Sequence, residues 1–317
     1  MSAEDGADIA RASLALRDRV GSGGQGDVHA LADGPLLFKE YKNPSKVNGG
    51  ALADLVAFRQ SLGRSDRSRL DSLAAWPLCR VVEGNRVLGF LMRRAPSDMT
   101  WCTAAGSTKL LELQYLIRQP KVAWQEVVQP TPEQRKALAL DCAEAIGWFH
   151  GAGLVIGDIS QANVLWSLTP ETAVHFLDCD GFRRVGRAPV QAQAGTPDWN
   201  DPLVPSTEAS VDTDAYKTAL VVGRILAQEP YVTPGQELKL VTGCLNDRQD
   251  DAVRRLFSQA AGERGTRPRP SEWQTALSDR GMIKLTAATP RPRPVIDHTV
   301  LDGARVRTSI SLRAPRQ

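Results

Sequence analysis

Residues 21–28 read GSGGQGDV, and the strands on either side of these glycines limit the fold more than any other feature of the chain. A glycine cluster that opens a dinucleotide-binding crossover leads directly into a helix. Here the next residues are DVHAL, then Asp33-Gly34, then PLLFKEY, and the run before the cluster is LALRDRV. All three runs have β-like composition, and Asp-Gly between two of them is a turn signal. The cluster therefore sits at the bend of an antiparallel ribbon. Glycine clusters are often merely turns. Between two strands, however, residues without a Cβ let backbone amides approach phosphate oxygens.

The rest of the chain divides into a strand-rich part and a helix-rich part. Residues 1–12 are polar and Ala-rich and are expected to fray. ALADLVAFRQSL (51–62) has helical spacing of its apolar residues. After a loop ending in Trp76-Pro77, LCRVVE and RVLGFLMR flank Gly84-Asn85 and read as a hairpin. Beyond residue 94, Thr131 and Pro132 open a helix with an apolar face through Leu138, Cys142 and Ile146. DTDAYKTALVVGRILAQ is apolar nearly all round, as a buried helix is, and a third helix follows Pro270. Past Lys284 the chain becomes a Pro/Arg-rich linker in which Asp302-Gly303 is placed to turn a hairpin. The expected class is α+β. A flexible segment (1–12) precedes a small antiparallel sheet with one main helix (13–94), a larger, mainly helical part (95–284), and a tail (285–317).

Polar residues interrupt the apolar runs at chosen places. GLVIGDISQANVLW (153–166) sets Asp158 and Asn163 among residues that favour burial, where a carboxylate is costly unless it is paired, hydrogen-bonded or metal-bound. LLFK ends an otherwise apolar strand in Lys39, whose plain reading is a snorkelling edge lysine. VHFLDCDGF is another apolar run that ends in acids. Taken in order, these stretches resemble the protein kinases: a glycine-rich lid, a strand lysine for the α- and β-phosphates, an Asp-x4-Asn loop and a metal-binding Asp. GTPDWNDPL, Asp214 and the RPS at 269–271 fall where kinases have their counterparts. AWPLCRV, GFLMR, GDISQANVLW and FLDCDGF further resemble a bacterial kinase-like family found beside von Willebrand-type and metal-dependent phosphatase proteins.

The resemblance implies a bilobal protein-kinase-like fold, with ATP and Mg2+ as cofactors. It implies catalytic roles for Asp158 and Lys39. Nucleotide contacts would come from Gly21, Ser22, Gly23, Gly24, Gln25, Gly26, Val28, Leu37, Lys39 and Leu165, and metal ligands from Asn163 and Asp178. Taking Asp180-Gly181-Phe182 as the metal motif would lengthen the preceding hairpin, so Asp178 is preferred. The resemblance also has gaps. Ile156 and Gly157 stand where kinases have His-Arg, and Ser160 stands for the catalytic-loop lysine. Residues 51–62 hold no glutamate, leaving Asp54, the nearest substitute, or another acid to steady Lys39. Leu203 takes the Ala-Pro-Glu glutamate's place, so Arg269 is expected to lose its partner. Residues 178–195 carry no serine, threonine or tyrosine, so activity is not expected to depend on a phosphate there.

The groups that position and neutralise phosphates remain. The expected function is a protein serine/threonine kinase that moves the γ-phosphoryl group of ATP, with Thr196 beside Asp158. The alternative is a nucleotide-binding pseudokinase scaffold that regulates a partner. A protein substrate is expected, and the resemblance adds a partner phosphatase or von Willebrand-type protein. At a net charge of +3, the 317-residue chain gives no argument for nucleic acid. No apolar run approaches membrane-spanning length, and the N-terminus lacks a signal peptide's order. Five scattered cysteines without a Cys-x-x-Cys pair argue against a disulfide framework or structural zinc. A reduced, cytoplasmic location is the expectation.

Overall fold

The first strands assemble into one mixed sheet. β1 (Ile9–Ala10), β2 (Leu16–Ser22), β3 (Gly26–Leu31) and β4 (Leu36–Tyr41) precede α1 (Gly49–Ser61) and α2 (Arg64–Leu73); β5 (Cys79–Glu83) and β6 (Arg86–Arg93) come next. The strand order is β1-β5-β6-β4-β3-β2, antiparallel throughout except that β1 runs parallel to β5. This computed structural model describes residues 3–279 apart from Asp33, Gln193, Ala194 and Ser206. The tail with its Asp302-Gly303 turn lies outside the described residues, as does the Asp33 half of the other expected turn. Period-two alternation gives the sheet two apolar faces. Phe38, Cys79, Val81, Leu88 and Leu91 form a small cluster on one. Tyr41 and Phe90 join the main core with Leu52, Leu55 and Phe58 of α1 on the other.

Two expectations for this part need correction. Of the segment 1–12 expected to fray, the described residues 3–12 are tied to the sheet. β1 pairs with β5, the Glu4 carboxylate bridges Arg59 at 2.6 Å and Arg93 at 2.5 Å, and Asp8 meets Arg80 at 2.5 Å. The loop expected before Trp76 contains α2. This helix buries only Leu70 fully, Leu73 packs on the core at its C-terminal end, and the rest is polar, so two leucines in its last turn are too few to read as an apolar period. Its Asp71 holds the buried Arg59 guanidinium through two hydrogen bonds of 2.7 Å.

β7 (Thr100–Cys102), β8 (Thr108–Leu110) and the short α3 (Gln114–Ile117) lead to α4 (Pro132–Gly151). Thr131 caps α4 as its sequence suggests, in a reciprocal capping box with Gln134. Three short pairings then shape the loops. The first joins β7 to β8; β10 (Val164–Ser167) forms a hairpin with β11 (Ala173–Phe176), and β9 (Leu154–Val155) pairs with β12 (Arg183–Arg184). α5 (Val211–Ala227) is buried on nearly every side, as its apolar circumference requires. α6 (Asp247–Gln259), absent from the sequence reading, buries Val253, Leu256 and Phe257 fully and packs Ala252 beside them. α7 (Pro270–Leu277) packs on α4. The described residues up to Ser278 make one compact unit of mixed α+β class. No helix among the described residues is long and apolar enough to cross a membrane.

Candidate functional site

The glycine cluster is the bend between β2 and β3. Ser22 lies opposite Asp27 in the ladder, and the tip closes through Gly23 N–H donating to Gly26 O at 2.9 Å. The Lys42 ammonium donates to Gly23 O at 2.6 Å and steadies the tip from the side. Gly26 cannot be larger, because a Cβ there would lie 2.6 Å from the Glu40 carbonyl oxygen of β4. Below the loop is a cavity of about 420 Å³. It is lined by Gly21, Ser22, Gly23, Gly24, Gln25, Gly26 and Val28, and by Lys39, Asp158, Asn163 and Asp178 from three other segments.

Lys39 is not an edge lysine. It faces Val28 on one side and Phe90 on the other in the sheet register, and it is 4% exposed. Its ammonium lies 2.6 Å from Asp180 Oδ1 and 3.3 Å from Asp178 Oδ1. Burial alone would lower its pKa; the charges of Asp180 and Asp178 outweigh this and hold it above the ordinary lysine value. The two carboxylates differ in setting. Asp180 has a side chain only 2% exposed, whereas that of Asp178 is 56% exposed and faces the cavity. A left-handed backbone at Asp178 (φ 52°) followed by one 3-10 turn separates them in this way. Asp54, the acid expected for Lys39, is exposed on α1 and lines a different hollow with Phe58, Ser61 and Arg184.

Asp158 and Asn163 form a closed hydrogen-bonded loop. Asn163 Nδ2 donates to Asp158 O and to Asp158 Oδ2, both at 2.9 Å. Thr196 Oγ1 donates to the other carboxylate oxygen at 3.0 Å. Leu177 N–H donates to Asn163 O at 2.8 Å and joins this loop to the segment that carries Asp178. With its amide nitrogen engaged, Asn163 keeps Oδ1 as an acceptor on the same cavity as the exposed carboxylate of Asp178. Among the described residues no group of three or more His, Cys, Asp or Glu is placed to hold a metal by itself. One carboxylate and one amide oxygen suit a hard cation that keeps waters and phosphate oxygens as its remaining ligands.

Two expected nucleotide contacts lie off the cavity lining. Leu37 is buried between Ala30 and Met92 of the flanking strands, and Leu165 is fully buried opposite His175 in the β10–β11 hairpin. The lost ion pair expected at Leu203 and Arg269 is replaced nearby. Arg267, 5% exposed, holds the Asp201 carboxylate with two nitrogens and meets Asp212 at 3.1 Å, while Leu203 and Arg269 are exposed. The sequence reading missed Asp180 as the partner of Lys39, and it missed Arg267. An acid two residues beyond Asp178, inside an apolar run, was the available signal for the first. No protein-family model matches the chain.

Proposed function

We propose that the chain is a phosphotransferase of bilobal, protein-kinase-like design that moves the γ-phosphoryl group of ATP to a serine or threonine hydroxyl of a protein. One observation carries the reading: Lys39, Asp158, Asn163 and Asp178 converge on one cavity roofed by the glycine turn. On this reading the sheet with α1 and α2 is the smaller lobe, and the mainly helical remainder is the larger. The bacterial kinase-like family that the motifs resemble supplies the expected setting, with a partner phosphatase or von Willebrand-type protein.

Each side chain has a part to play. Backbone amides of the glycine turn other than that of Gly23, together with the Lys39 ammonium, bind phosphate oxygens. Asn163 Oδ1 and the Asp178 carboxylate would hold Mg2+, which when bound neutralises charge between the phosphates. Asp158 orients the acceptor hydroxyl and takes its proton as the oxygen bonds to the γ-phosphorus and the bond to the β-phosphate oxygen breaks. Thr196 and Asn163 each occupy one Asp158 oxygen. Each oxygen keeps a lone pair for that proton.

The scaffold reading has one observation in its favour. Ser160, where the resemblance calls for a lysine, is buried with no partner for its hydroxyl among the described residues. The loop residue itself thus brings no cation to the γ-phosphate. ATP turnover with Mg2+ by the purified protein, beside Asp158→Asn, separates the two. Turnover lost in the variant supports transfer. A thermal shift with Mg·ATP but no turnover supports the scaffold, and neither shift nor turnover sinks both.

A further inference from the structure

The peptide just before Asp158 is held in an uncommon shape. Asp158 N–H donates to Ile156 O at 3.1 Å across Gly157, whose φ is +82°. Such a three-residue turn with positive φ at its centre is rare and strained. It is gripped from below by α5. The Asp214 carboxylate, fully buried, accepts from Ile156 N at 2.7 Å and from Gly157 N at 2.9 Å, with His150 Nε2 at 3.2 Å. These contacts secure the donors of the turn and leave the Gly157 carbonyl to be held.

That carbonyl is taken by Lys217, one helical turn beyond Asp214. Its Nζ donates to Gly157 O at 2.7 Å, and the residue is 6% exposed. Lysine is almost never this buried unless it is paired with a charge. Here no carboxylate lies within ion-pair distance among the described residues; Asp158, Asp214 and Asp201 act on it from farther away. Burial lowers its pKa despite them. A hydrophobic residue would fill this place at less cost, so the ammonium is retained for what it holds.

We propose that Lys217 is a positioning residue for Asp158. Its ammonium locks the Gly157 carbonyl, so that the strained turn cannot relax and Asp158 keeps its carboxylate between Thr196 and Asn163. This deepens the phosphotransfer reading and rests on it for any effect on turnover. It also gives the catalytic loop a cation from α5, where Ser160 supplies none.

The test uses the full chain as Lys217→Met, which keeps the stem without the ammonium, and Lys217→Gln, which keeps a neutral N–H donor. Turnover and hydrogen exchange by mass spectrometry are read on each. A misplaced Asp158 should lower kcat about 100-fold. KM for ATP should stay within about twofold, because the glycine turn and Lys39 are untouched. Exchange should quicken over residues 154–162 and not over 21–41, and Lys217→Gln should fall between the wild type and Lys217→Met. Wild-type kcat and exchange in Lys217→Met would overturn the proposal. So would faster exchange everywhere in both variants, which would make Lys217 a general support of the core. A wild type without turnover, but with the exchange change confined to 154–162, would instead overturn phosphotransfer and leave the positioning role standing.

Discussion

Asp180→Asn removes a charge from the most deeply buried ion pair of the candidate site and changes almost nothing in shape. Lys39, 4% exposed, would lose its partner at 2.6 Å and keep Asp178 at 3.3 Å. Stripping one partner from a buried pair costs about 3–5 kcal/mol when the other ion is left alone. Here Asp178 remains, and the asparagine oxygen still accepts a hydrogen bond, so a loss of about 2–3 kcal/mol is expected, the scale of one hydrogen bond to a charged group. For a chain of this size that corresponds to a fall in Tm on the order of 5 °C. The sign with pH comes from Lys39, whose folded pKa is raised. Its stabilisation is complete below the ordinary lysine value and is lost only as pH rises through the higher folded value. The Tm difference should therefore be flat between about pH 6 and 8. Turnover, measured well below the lower Tm, should fall sharply as the Lys39 ammonium swings toward Asp178. Asp54→Asn, at an exposed position of α1, should change stability by less than about 0.5 kcal/mol and leave turnover alone. Equal effects of the two substitutions, or none from Asp180→Asn, would refute the assignment of Asp180 as the partner of Lys39.

On the proposed reading, ATP with magnesium gives a thermal shift of about 2.7 kcal/mol at a hundredfold excess over Kd, and Asp178→Ala should remove most of its magnesium-dependent part; an undiminished shift would move the metal elsewhere. Asp141 on α4 has its carboxyl pushed by burial from the ordinary 3.8 to about 6, with Glu144 and Glu171 adding to the effect against a hydrogen bond from Thr172. The folded chain therefore binds the extra proton, and stability falls as pH rises between about 4 and 6. Asp141→Asn should raise stability at pH 7 by about 1–2 kcal/mol after allowance for solvent screening, a gain that vanishes near pH 4; a gain equal at both pH values would contradict it.

What was legible in the sequence was what a short stretch decides alone. The glycine turn lies between strands because local composition dictates both, and Thr131 caps α4 because the cap and its partner Gln134 are three residues apart. Asp158 and Asn163 were legible for the same reason: their contact closes within five residues. The parts that were missed depend on distance in the chain. Which acid meets Lys39 is decided by how a segment 141 residues later turns under the sheet, and nothing near Lys39 records it. Arg267 and Asp201 are 66 residues apart, and each looks like an ordinary surface charge in its own surroundings. Helix α2 was invisible because it is anchored by Asp71 on Arg59 and by two leucines in its last turn rather than by a full apolar stripe.

The same contacts bear on control. A phosphate switch works on a segment that stays loose until new charged hydrogen bonds order it. Between Asp178 and Asp201 the chain is already fastened at several described points. β12 pairs with β9; Val190 is 1% exposed, and its carbonyl accepts from Asn48 N at 2.8 Å at the start of α1; Thr196 holds Asp158; and Asp201 lies on Arg267. Burying one valine contributes about 1.5 kcal/mol and each hydrogen bond about 1 kcal/mol, which together match the one to three charged bonds a phosphate would add. Order at these described points therefore does not wait for modification. Thr196 donates to the Asp158 carboxylate, and a phosphate on it would remove that hydrogen and set two negative groups about 3.0 Å apart. On the proposed reading such a phosphate turns the site off, and an active preparation found by mass spectrometry to carry full phosphate at Thr196 would contradict that conclusion.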